Sequence, residues 1–130
     1  MANHNATLDK AEIAAAIREA IGAHGQWKLK LKMAVRTGTT DITPQIAGCD
    51  DACTFGKWLY DGIRDPEIRS GMPFKVVRRL HGEFHATAGE VLRLAVSGQD
   101  AKAGEVLESE FTQRSDKLRS ALMKWLGEVR

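Results

Sequence analysis

Apolar residues in this chain recur at steps of three and four rather than alternating, so the pattern predicts helices and no strands. The first stripe reads Ile13, Ile17, Ala20, His24, Trp27, Leu31, Ala34, the seam of one long helix from Asp9 to about Arg36, with Asp9 and Glu12 forming its cap. A second stripe, Phe74, Val77, His81, His85, Ala88, Leu92, Ala95, predicts a helix from about Phe74 to Val96, and Ser97-Gly98-Gln99-Asp100 closes it and caps the next. The last helix, Ala101 to about Leu126, carries Leu107, Phe111, Leu118, Leu122 and Trp125 on one side and charges on the other.

Between the first two stripes the periodicity lapses. Thr37 to Asp51 collects Gly, Thr, Pro and Asp and reads as a loop. Asp50 or Asp51 then caps a short helix that holds Cys53 in its first turn and runs to about Tyr60 before Asp61-Gly62. Asp65-Pro66 is a further cap, interrupted by Gly71 and Pro73. The expected fold is all-α: an antiparallel four-helix-type bundle with a short extra helix carrying the cysteine, spanning residues 9–127 behind a flexible tail, 1–8.

Composition and charge narrow the function. At 130 residues there is room for a single domain, and 43% hydrophobic with 28% charged residues is ordinary for a folded chain. The net charge of +2 comes from both signs spread along the sequence, so no basic stripe suggests nucleic acid. The longest apolar run, Ile13 to Ile17, is far short of the ~20 residues of a membrane span. Residues 1–12 lack the layout of a secretory signal, and the expected location is the cytosol. There, two cysteines suggest metal or thiol chemistry rather than a structural disulfide.

Three of the four histidines lie on inward stripes, and His81 and His85 share a helix face at i, i+4. One buried histidine with a satisfied hydrogen bond is commonplace, but three in a small core each bring polar nitrogens out of water. One divalent ion accounts for all three, and Cys53 at a helix start, where a thiolate is favoured, completes a tetrahedral zinc set of His24, Cys53, His81 and His85. In order, the chain has H-x2-W (His24, Trp27), C-x2-G-x-W (Cys53, Gly56, Trp58) and H-x3-H (His81, His85).

On these residues the sequence resembles the chemoreceptor zinc-binding domain, a bacterial sensory module, from Ala11 to about Leu122. The resemblance implies zinc held by three histidines and one cysteine in a helical bundle, often dimeric. It also implies attachment to chemoreceptors or diguanylate cyclases, to which the domain reports zinc or oxidants such as hypochlorous acid. The chain has neither a receptor signalling hairpin nor a cyclase domain, so a stand-alone domain acting through a homodimer or a signalling partner is expected. Val76, Phe84, Val91, Met123 and Leu126, apolar but off the stripes, are the candidate dimer surface.

Trp27 and Trp58 then read as apolar walls that exclude water and fix the ligands, and Gly56 as the place where another helix approaches the short one. Cys49, outside the motif, is either a thiol without a role or a resolving thiol for an oxidised Cys53. Once Met1 is removed, Ala2-Asn3-His4 is either a solvated tail or a square-planar Cu(II) or Ni(II) site. Enzymatic readings fare poorly. His81-Gly82-Glu83-Phe84-His85 superficially resembles a metalloprotease helix, but H-E-x-x-H needs Glu directly after the first His. Glu83 projects about 200° around the helix from His81. Four protein ligands also leave zinc no open position for substrate, and a di-iron bundle would need several carboxylates. The function expected is a zinc-binding sensory or regulatory domain, with an interaction module built on a purely structural zinc as the alternative.

Overall fold

The computed structural model describes residues 10–129, and every regular element among them is helical. The expected cap at Asp9, the tail 1–8 and the candidate His4 site lie outside the described residues. The first stripe forms α1 (Lys10–Gly25) and α2 (Trp27–Thr37) rather than one unbroken helix. The break follows from Gly22 and Gly25, poor helix formers, and from Gln26, whose N–H turns back to the Ala23 carbonyl at 3.3 Å. It falls just after His24.

The expected loop contains a helical turn of its own, α3 (Pro44–Ala47), where the Thr43 hydroxyl accepts from the Ile46 N–H at 3.2 Å and proline occupies the first turn. The short helix α4 (Thr54–Lys57) is capped by Cys53 itself, not by Asp50 or Asp51. It continues as a wider π turn, Trp58–Gly62, closed by the Ile63 N–H on the Trp58 carbonyl at 3.0 Å. Asp65 caps α5 (Pro66–Arg69) as expected. The long helix α6 begins at Met72, two residues before the expected start, because Pro73 is tolerated in a first turn, and it ends at Val96. The last rod is α7 (Asp100–Val106), a π turn (Leu107–Phe111) and α8 (Thr112–Val129). Left-handed glycines close α2 and α6: Gly38 at φ 73° and Gly98 at φ 84°.

Three rods make the bundle. α1 packs on α8 and α2 on α7, so the first and last rods run antiparallel, as α6 does with the last rod across the Gly98 turn. The first rod and α6 consequently lie side by side in the same direction, which requires the long crossover 38–71. That crossover, carrying α3 to α5, covers the remaining side and supplies the fourth layer. The core joins Ile17, Leu31, Phe84, Phe111, Leu118 and Leu122, all fully buried. Three of the apolar residues expected on the surface, Phe84, Val91 and Leu126, belong to this core, and Val76 is half-buried. For Phe84, Val91 and Val76 the reason is that α6 is wrapped by the first rod, the last rod and the crossover, leaving its middle little polar face, while Leu126 lies on the inner side of α8. Only Met123 of that set is exposed, at 48%. No described helix is long and apolar enough to cross a membrane.

Candidate metal centre

The three predicted histidines and Cys53 meet where α1, α6 and the start of α4 converge. Their ligating atoms all lie within 4.8 Å of one another. His24 sits in the last turn of α1, and its Nδ1–H donates to the Ala20 carbonyl at 2.8 Å. His85 donates Nδ1–H to the Ala47 carbonyl at 3.0 Å. Because a carbonyl can only accept, both rings carry their proton on Nδ1 and present a bare Nε2 to the centre. Ala47 reaches His85 because α3 lies directly on α6: a β-carbon on Gly89 would come within 2.8 Å of the Gly48 Cα.

The Nε2 atoms of His24 and His85 are 3.3 Å apart, with no proton between them, and those of His81 and His24 are 3.1 Å apart. Cys53 Sγ lies 3.4 Å from His81 Nε2, 3.5 Å from His85 Nε2 and 3.9 Å from His24 Nε2. With Zn–N about 2.0–2.1 Å and Zn–S about 2.3 Å, a tetrahedron places nitrogens about 3.4 Å apart and sulfur about 3.6 Å from nitrogen. The donor set fits zinc in type, number and spacing. Facing lone pairs at such distances repel unless a cation lies among them.

Burial sets the electrostatics. His81 and His85 are each 1% exposed and His24 6%. Loss of water, with neighbouring imidazoles adding to it, lowers the pKa of His24 to about 4 and that of His81 to about 2; burial lowers His85 as well. The rings are thus neutral and able to ligate at physiological pH. Cys53 departs from expectation. It is half-buried, and burial pushes its thiol up despite bonds from the Gly56 and Phe55 N–H groups, so the helix start alone does not supply a thiolate. A bound cation does, since a coordinating thiol gives up its proton. The Gly56 N–H to Sγ contact, 3.3 Å, then stabilises the anion.

Aromatic rings wall the centre. Trp27 meets the His85 ring edge-on at 5.7 Å. Trp58 acts one layer further out, stacking on Phe55 at 5.5 Å, and Phe55 in turn meets His81 at 5.3 Å. Phe84 packs on His24 at 5.1 Å and on His85 at 5.2 Å. The sequence pattern did not single out Phe55 and assigned Phe84 to the surface, although each neighbours a motif position. Gly56 is required by a close approach, but by the loop rather than another helix: a β-carbon there would collide with the Asp50 carbonyl. Cys49 is exposed and its Sγ–H donates to the Gln45 carbonyl at 3.2 Å. Glu83 is held off the centre by Arg114 at 2.8 Å and Arg79 at 3.3 Å. A cleft of about 480 Å³, lined by Ala23, Trp27, Thr54 and Trp58 among others, reaches His24 and Cys53 from outside.

The family model for the chemoreceptor zinc-binding domain matches residues 24–92, more than half of the chain, from His24 through both histidines of α6. No curated protein and no solved structure shows a significant match. The chain belongs to the chemoreceptor zinc-binding domain family and is a zinc-binding domain.

Proposed function

We propose that this member of the chemoreceptor zinc-binding family holds one zinc through His24, His81 and His85 Nε2 and Cys53 Sγ, and uses it to sense zinc or oxidants such as hypochlorous acid. The observation that supports the ligand set is the pair of bare nitrogens of His24 and His85 facing each other at 3.3 Å, with a thiol within reach of both. Four protein ligands leave the ion no open position, so the domain acts as a regulator and not as an enzyme. Zinc when bound supplies charge that holds Cys53 as a thiolate and ties α4 to α1 and α6.

Cys53 is the switch. It is the oxidisable member of the set and, unlike the histidines, is only half-buried, at the foot of the cleft. Hypochlorous acid transfers chlorine to its sulfur and releases hydroxide. Water then displaces chloride, leaving a sulfenic acid that binds metal weakly. Attack by the Cys49 thiol closes a Cys49–Cys53 disulfide and releases water, which thiols later reverse. Loss of one ligand frees α4 and Trp58 from the bundle, and a homodimer or a signalling partner such as a chemoreceptor or diguanylate cyclase reads the change.

The test is to treat zinc-loaded protein with equimolar hypochlorous acid, mapping oxidation by mass spectrometry and zinc release with a chelating dye. Oxidation first at Cys53, together with zinc release, is expected. Methionines oxidised first with Cys53 and zinc intact would remove the redox reading and favour the purely structural zinc.

A further inference from the structure

The segment that carries Cys53 has little regular structure of its own, since α4 is a single turn. It is nevertheless tied down on both sides of the cysteine. Asp50 precedes Cys53 and Tyr60 follows it, and the Tyr60 hydroxyl lies 3.0 and 2.9 Å from the two carboxylate oxygens of Asp50, donating its proton into the pair. A charge-assisted bond of this kind is among the stronger ones. The loop around Cys53 is thereby closed side chain to side chain.

The closure rests on α6. At Gly82, a β-carbon would come within 3.1 Å of Asp50 Oδ2, so the carboxylate is seated where a side chain is missing. One turn earlier, the Arg78 guanidinium lies over the Tyr60 ring at 4.9 Å. Arg78 and Gly82 flank His81 on the turn that presents it. The carbonyl of the same Asp50 occupies the space that a side chain at Gly56 would fill, and Gly56 gives its N–H to Cys53 Sγ. Asp50 thus joins three elements: Tyr60 behind the cysteine, Gly56 beside it, and the histidine helix.

We propose that the Asp50–Tyr60 pair is a clasp that positions Cys53 against His81 and His85, with Asp50 as the positioning residue and Gly82 and Arg78 as its seat on α6. The proposal rests on the ligand assignment above. It goes beyond it by placing the hold on Cys53 in two residues outside the histidine and cysteine motif. Asp50 acts through the backbone of its own loop. Breaking the clasp leaves the four donors in the chain but lets the cysteine drift from the nitrogens.

The experiment uses the full chain loaded with Co(II), whose thiolate charge-transfer band reports the bond to Cys53, and zinc-loaded protein challenged with a chelator. Tyr60→Phe and Asp50→Ala are expected to weaken or shift the band and to speed zinc loss about tenfold. Asp50→Asn, which keeps an acceptor for Tyr60, restores most of both. Asp50→Ala with Tyr60→Phe is no worse than the more severe single change, because both cut one bond. If Asp50→Ala fails to fold, Tyr60→Phe, which removes one oxygen, decides alone. A wild-type band and zinc-loss rate in Tyr60→Phe, or effects that simply add, overturn the clasp. A wild-type protein with no thiolate band overturns the ligand assignment itself, a different result.

Discussion

His24 and His85 are each turned by a backbone carbonyl, which fixes the tautomer before any metal arrives. That detail could not be read from the sequence, because the acceptors are main-chain atoms of Ala20 and Ala47. The ligand types could: an i, i+4 histidine pair and a histidine on an apolar stripe are visible without coordinates. Phe84 was not, because a stripe drawn through His81 and His85 assigns it to the surface, whereas α6 is enclosed on nearly all sides. His81→Ala should reduce zinc retention sharply, while His4→Ala leaves the core zinc in place; metal analysis after dialysis checks both, and equal losses would show the site misassigned. The unfolded histidines protonate near 6.5, while in the fold His24 does so only at about 4 and His81 at about 2. Between those values the unfolded chain binds more protons, so stability is lost as pH falls. Urea titrations of metal-free protein should show stability level above about pH 7.5 and declining from about 6.5 toward 4.

At the scale of elements, the long helices were legible because each carries a stripe several turns long. The crossover was not. α3 is a single turn whose only signal is Thr43-Pro44, and α4 is likewise a single turn, too short to be stable without the contacts around it. The most direct check is Gly56→Ala. The added methyl would collide with the Asp50 carbonyl, so the loop must move away from α4. The change should destabilise the zinc-bound protein by about 1–3 kcal/mol and weaken zinc retention. Chemical denaturation and a chelator competition measure the two effects, and a variant unchanged in both would mean that the loop does not hold the cysteine turn.

For the whole molecule, the bundle and the site are one design: the proposed zinc ligands join the first rod, α6 and the crossover, while the last rod is bound to them mainly by apolar packing, through Phe111 on Phe84 and Trp125 on Phe74, with the Arg114–Glu83 ion pair at 2.8 Å beside it. Metal loss should therefore loosen the crossover and leave the rods associated. In the proposed homodimer, the surface between protomers would feel that loosening. Sedimentation of zinc-loaded protein at well above micromolar concentration should give twice the protomer mass, and a monomer alone would remove this part of the account. The coordination of one zinc by this chain's three imidazoles and one thiolate is read out by X-ray absorption of the zinc in purified protein. A shell of three nitrogens at about 2.0–2.1 Å and one sulfur at about 2.3 Å is expected, with the sulfur lost in Cys53→Ser. A shell without sulfur, or one unchanged by Cys53→Ser, would contradict it.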